Sequence, residues 1–199
     1  MENIEPAKKE PAKWTPPTLE QAEESDYKKY LEALSLTEED LKDKEILDVG
    51  AGPAIFAKYA KEKGISDSIF SLDPEDEPQE KTKAVYAKVE NLPYKDESFD
   101  MVMSSGAYPY VASIGETDSN IIEKKLKDGL NEMIRVVRSG SEIRLGPLGF
   151  STAPDFKQVN DLFDDLLQDL IKKGKIEVEK VDKDDDFIPD SYMYIITKK

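Results

Sequence analysis

Asp48-Val49-Gly50-Ala51-Gly52 is the stretch whose residue types and spacing offer the clearest chemistry. Two glycines around one small residue let the backbone turn sharply, take positive φ and lie close against a ligand. The run Ile46-Leu47-Asp48-Val49 before it has the composition of a strand buried on both faces of a parallel sheet. Pro53 follows at a position where a helix start tolerates a missing N–H. Strand, glycine turn and helix start, in that order, place free amides and a positive dipole end beside the carboxyl end of a central strand, where α/β sheets hold ligands. A second strand-like run, Ser68–Leu72, is followed at once by Asp73, 23 residues beyond Gly50. A carboxylate at that spacing can accept hydrogen bonds from both hydroxyls of a ribose. The pair of features predicts a cradle for a nucleoside cofactor.

Other chemistries are closed off by what the chain lacks. It has no histidine and no cysteine, which removes disulfides, thiol nucleophiles, the usual zinc sites and imidazole-dependent triads. A general base would have to be Asp, Glu, Lys or Tyr. Tyr108 and Tyr110, in Gly106-Ala107-Tyr108-Pro109-Tyr110, are the catalytic candidates; aromatic walls of a pocket are the alternative reading of both. The acid run Asp182–Asp186 imitates the start of a calcium loop, but its sixth position is Phe187 and its twelfth Met193, so no metal is expected there. A net charge of −15 would repel a phosphate backbone, so neither nucleic acid nor an anionic membrane is the expected partner. With neither a signal core nor a membrane-length apolar run, the chain is expected to be cytoplasmic.

The elements that must position these residues are legible from periodicity. With 199 residues and 38% hydrophobic composition, one domain with one sizeable core is expected. Met1–Thr18, rich in Pro, Lys and Glu around the lone Trp14, reads as a mobile arm, or as a lid that brings Trp14 over the cleft. Residues 19–199 read as a single domain, in which 19–41 form a helical cap and 42–199 the core. Tyr27, Tyr30, Leu31 and Leu34 recur at helical spacing and are expected to pack. Helices are predicted over Pro53–Lys63, Ile121–Val137 and Asp155–Lys173, and paired antiparallel strands over Lys175–Val181 and Ser191–Thr197.

The motif Asp48-Val49-Gly50-Ala51-Gly52 resembles the first motif of the class I S-adenosylmethionine-dependent methyltransferases. A dinucleotide fingerprint would need a third glycine where Ile55 stands. Ala84–Tyr94, with Asn91-Leu92-Pro93, is similar to the family segment that holds adenine through backbone and an acid, although Lys88 occupies the place of the acid. Ser98–Ser105 resembles the family's central strand, and Glu132–Ser141 its passage into the fifth strand, with Ser139-Gly140-Ser141 in place of a Pro-Gly-Gly turn. On these residues the chain is identified as a member of that family, of the small-molecule, type 11-like branch. The resemblance implies an α/β, Rossmann-like, seven-stranded and mostly parallel sheet with helices on both faces and a C-terminal antiparallel pair. It also implies S-adenosylmethionine as cofactor, held by Asp48, Gly50, Ala51, Gly52, Asp73, Pro74, Val89, Glu90 and Ser104. The acceptor would be a small molecule, or a short protein segment. A non-catalytic cofactor-binding relative and an NAD-dependent oxidoreductase are the competing readings; the sequence does not give the oligomeric state.

Overall fold

The computed structural model describes residues 19–75, 83–149, 154–183 and 191–199. The chain opens with helix α1 (Leu19–Ala33) and a 3-10 turn over Glu38–Leu41. The turn is capped by Thr37, whose amide and hydroxyl both donate to the Asp40 carboxylate at 2.8 and 2.7 Å. Strand β1 (Ile46–Val49), helix α2 (Ile55–Glu62), β2 (Ile69–Asp73), β3 (Lys83–Tyr86) and β4 (Phe99–Ser105) follow. Helix α3 (Ser119–Val136), β5 (Val137–Leu148), α4 (Pro154–Lys172), β6 (Ile176–Lys183) and β7 (Ser191–Lys198) complete the order.

One seven-stranded sheet results, in the order β3-β2-β1-β4-β5-β7-β6. The five strands from β3 to β5 run parallel, and β7 lies antiparallel to both β5 and β6. From β1 the chain winds outward to β2 and β3, then returns to the other side of β1 as β4. That reversal leaves a crevice between the carboxyl ends of β1 and β4, where such sheets take ligands.

The period of two along each strand divides the core into two layers. Leu47, Val49 and Val102 point to one face, under α3 and α4 with Leu126, Leu130, Met133, Phe163 and Leu167. Ile46, Met101 and Met103 point to the other, under α1 and α2 with Tyr27, Leu34, Phe56 and Tyr59. All four residues of β1 are buried, Asp48 among them, and its other three positions are apolar rather than alternating with polar ones. Each buried Leu, Ile or Phe contributes about 1.5–3 kcal/mol to holding the layers on the sheet.

Two expectations are corrected. Helix α2 starts at Ile55, because Ala54 at its N-cap takes a left-handed φ of 58° and Pro53 stays in the turn. The Ser139-Gly140-Ser141 segment is not a turn before a short strand but part of β5, which begins directly at Val137. Its pairing with β4 jumps from Phe99↔Val137 to Met101↔Glu142, and Gly140 absorbs the bulge at φ 80°. The proposed arm with Trp14, and the calcium-like run from residue 184 onward, lie outside the described residues. Among the described residues no helix is long and apolar enough to cross a membrane.

Candidate functional site

The turn after β1 is shaped by its glycines. Gly50 and Gly52 have φ of 72° and 51°, a region that L side chains rarely adopt. The Gly50 and Ala51 amides both donate to the Leu72 carbonyl, at 2.7 and 3.2 Å, folding the turn over the end of β2. A Cβ built on Gly50 would stand 2.3 Å from the Cβ of Ala107, so the loops after β1 and β4 meet at a residue without a side chain.

Asp73 ends β2 and fastens this turn. Its Oδ2 accepts the Gly52 amide at 3.0 Å and its Oδ1 the Glu75 amide at 2.8 Å. Each carboxylate oxygen carries two lone pairs, so one carboxylate can accept from more than one donor while it organises the loop.

Beside this turn lies a cleft of about 490 Å³. Val49 at the end of β1 and Gly50 after it, with Leu72 and Asp73 of β2 and Pro74 after them, form its floor. Val89 and Glu90 form one wall, with Tyr86 and Lys88 near the rim; Ala107, Tyr108, Val111 and Ile114 form the other, and Lys125 reaches in from α3. Of the expected cofactor residues, Gly50, Asp73, Pro74, Val89 and Glu90 thus share one cavity. Asp48, Ala51, Gly52 and Ser104 are not on its wall. Gly52 acts through Asp73, and the buried Ser104 hydroxyl accepts the Tyr108 amide at 3.0 Å.

Asp48 is fully buried beneath the turn, at 0% exposure. The Tyr30 hydroxyl donates to its Oδ1, while Oδ2 is buried without a partner. Burial, with a smaller contribution from the negative charge of Asp73, pushes the Asp48 carboxyl up to about 7, against the pull of the Tyr30 hydrogen bond. Helical spacing assigned Tyr30 to packing, and its ring does stack on Phe56 at 4.4 Å. What periodicity could not show is that its hydroxyl ends on the acid of the glycine motif.

The candidate bases Tyr108 and Tyr110 are engaged elsewhere. Tyr108 is buried on the cleft wall, but its hydroxyl donates to the Leu126 carbonyl of α3. Tyr110 is absent from the lining, packs its ring on Phe156 at 4.8 Å, and its hydroxyl accepts the Gly149 amide at 3.0 Å. Neither hydroxyl is presented to the cleft. The sequence in this loop is aromatic because the turn sits on the core, not because it exposes a base.

The Val89–Glu90 wall is held from behind by two residues that the sequence marks only as part of the passage into β5. Glu132 of α3 accepts the Leu92 amide at 2.8 Å, and Arg135 donates to the Leu92 and Tyr94 carbonyls at 3.1 and 2.8 Å. The Arg135 side chain also pairs with Glu132 at 2.7 Å and Asp96 at 2.9 Å. These interactions lower the Glu132 carboxyl below its ordinary value, the Arg135 hydrogen bond being the largest cause.

A family model described as a methyltransferase domain matches residues 47–145, from β1 to β5. The malonyl-[acyl-carrier protein] O-methyltransferase of Salmonella typhimurium is 26% identical over 118 residues, which are 57% of this chain and 42% of that protein. The chain therefore corresponds to less than half the length of that relative. A SAM-dependent methyltransferase of Thermotoga maritima superposes with a TM-score of 0.54 at 18% identity, covering 89% of this chain and 91% of its own. Another, from Methanosarcina mazei, gives 0.54 at 15% identity over 79% of this chain and 93% of its own. At those identities the solved structures establish a shared fold, and the matched segment contains every residue that lines the cleft.

Proposed function

We propose, on the premise that this chain belongs to the class I S-adenosylmethionine-dependent methyltransferases, that it transfers the cofactor's methyl group to a small-molecule acceptor. The observation that carries this reading is the coupling of the glycine turn to the strand-end acid by the Gly52–Asp73 hydrogen bond at 3.0 Å. It joins the two features that a nucleoside cofactor needs on the floor of one cleft.

The chain's residues fit that cofactor. Gly50 brings bare backbone to the cleft lining, the place of a Cβ being taken by Ala107, and Asp48 Oδ2 in β1 is a buried acceptor without a partner. Asp73 would accept from the ribose hydroxyls, and Pro74 and Val89 would offer apolar faces to the adenine. Glu90 and the backbone of this segment would take its polar edge, since Lys88 cannot accept a hydrogen bond from an amino group. When bound, S-adenosylmethionine supplies a methyl group already activated on a sulfonium. The protein then needs mainly to align an acceptor atom and exclude water. Lack of histidine and cysteine is consistent with that requirement.

Several observations support a small acceptor. The net charge of −15 opposes a polyanion. The cleft of about 490 Å³, which the cofactor also occupies on this reading, is of small-molecule size. Ala107-Tyr108-Pro109-Tyr110 contains no amide or carboxylate to grip a reacting nitrogen. Incubation with methyl-labelled cofactor and a cell extract, fractionated into metabolites, protein and nucleic acid, tests the assignment. Label in the metabolite fraction is expected; label chiefly in nucleic acid would overturn it.

A further inference from the structure

Glycine is, after proline, the residue least suited to a helix interior, yet Gly129 stands buried well inside α3. The cleft supplies a reason. A Cβ built on Gly129 would stand 2.8 Å from Cε2 of Tyr108 and 3.2 and 3.4 Å from the two γ carbons of Val89. Those two side chains belong to opposite walls of the cleft. The walls therefore close on one another at Gly129, and a single methyl group there would stand between them.

Both walls hang from this helix. The Tyr108 hydroxyl donates to the Leu126 carbonyl, and the segment that continues from Val89 is held where Glu132 accepts the Leu92 amide at 2.8 Å. Lys125, Gly129 and Glu132, at i, i+4 and i+7, share the face of α3 that follows this segment from the cleft to Leu92. Tyr108 has no freedom to yield to a side chain at position 129. Its amide donates to Ser104 Oγ at 3.0 Å, its hydroxyl is bonded to α3 itself, and its ring lies edge-on to that of Phe163 with centroids 5.6 Å apart. The displacement would pass to Val89, in the connection between β3 and β4.

We propose that Gly129 is a positioning residue that sets the width of the cofactor cleft, its missing side chain letting the Tyr108 and Val89 walls close to the separation that grips the adenine. This rests on the cofactor assignment above. Gly129 is not on the cleft lining, so it acts through the two side chains that are.

Calorimetric titration of S-adenosylmethionine into the wild type, Gly129→Ala, Val89→Ala and the double variant tests this on the intact chain, with thermal unfolding of each. Alanine is the better helix former, so a residue that matters only to α3 would leave the affinity of Gly129→Ala unchanged. A loss of about tenfold is expected instead, the scale of an overpacked contact. Val89→Ala removes both γ carbons and opens room on the side to which the new methyl must turn. In that background the added effect of Gly129→Ala should stay under about twofold. Unchanged affinity in Gly129→Ala, or the same fold loss in both backgrounds, would overturn the proposal and leave the cofactor assignment standing. If Gly129→Ala alone does not fold, a folded double variant that binds as Val89→Ala does supports the proposal, and an unfolded or more weakly binding double variant overturns it. Absence of binding by the wild type would overturn the assignment itself, and the proposal with it.

Discussion

The amide of Gly52 donates to the carboxylate of Asp73 at 3.0 Å, across two neighbouring parallel strands. A residue that the sequence marks as a ligand for a ribose is also the strut of the glycine turn. On the proposed cofactor assignment, affinity and loop shape are coupled, and substitutions at either end should be felt at the other.

Replacing Asp73 with Ala removes an ionised acceptor together with the anchor of the Gly52 amide. Hydrogen bonds to charged groups contribute about 1.5–3 kcal/mol each, so S-adenosylmethionine should bind at least about tenfold more weakly. Titration calorimetry reads this directly. A change of less than twofold would mean that Asp73 serves the loop alone.

Gly50→Ala combines positive φ with a Cβ that would stand 2.3 Å from that of Ala107. The left-handed conformation alone costs a non-glycine residue about 1–2 kcal/mol, and relief of the contact must push the turn away from the loop after β4. Loss of cofactor binding with the chain still folded by circular dichroism is the expected result. Retained affinity would place the cofactor away from this turn.

Unliganded stability should carry the signature of Asp48. Its folded-state carboxyl is raised to about 7, well above the ordinary carboxylate value, so between those limits the folded chain holds a proton that the unfolded chain releases. This contribution is fully present at low pH and is lost as pH rises to about 7, by an amount on the order of a few kcal/mol. Other carboxylates titrate in both chains, so the informative quantity is the difference between Asp48→Asn and wild type in urea unfolding. It should move in favour of the variant from pH 5 to pH 8; a constant difference would show that Asp48 is ionised throughout.

Arg135→Ala would leave Glu132 and the Leu92 and Tyr94 carbonyls without their shared donor. A loss of roughly 1–3 kcal/mol is expected from such partly buried groups. Hydrogen exchange should quicken across residues 89–96, and cofactor affinity should fall with it, because the wall proposed to hold adenine is part of that segment. Faster exchange confined to α3 would argue against the clamp.

Tyr110→Phe should cost about 1 kcal/mol by unpairing the Gly149 amide, with cofactor affinity unchanged within twofold. Thermal unfolding and calorimetry together check it. Weaker cofactor binding without loss of stability would return Tyr110 to the site.

The sequence by itself determined the strand-turn-helix unit at Ile46–Ala57, the acid at the end of β2, the amphipathic faces of α3 and α4 and the antiparallel strands at the C-terminus. These are local facts: apolar period, glycine, and an acid at a fixed distance along the chain. Where local rules compete, the boundaries moved. Ala54 took the left-handed conformation that delays α2, and Gly140 turned an expected loop into a bulge in β5. Only the tertiary structure decided which polar groups meet. Tyr30 and Asp48 lie 18 residues apart and Arg135 lies 43 from Leu92, and nothing in the spacing marks them as partners. Likewise, Tyr108 and Tyr110 could be read as bases until packing gave their hydroxyls to Leu126 and Gly149. A hydroxyl's chemistry depends on what it faces after burial, and burial is fixed by the spatial order of the strands and the helices packed on them rather than by the residue's neighbours in sequence.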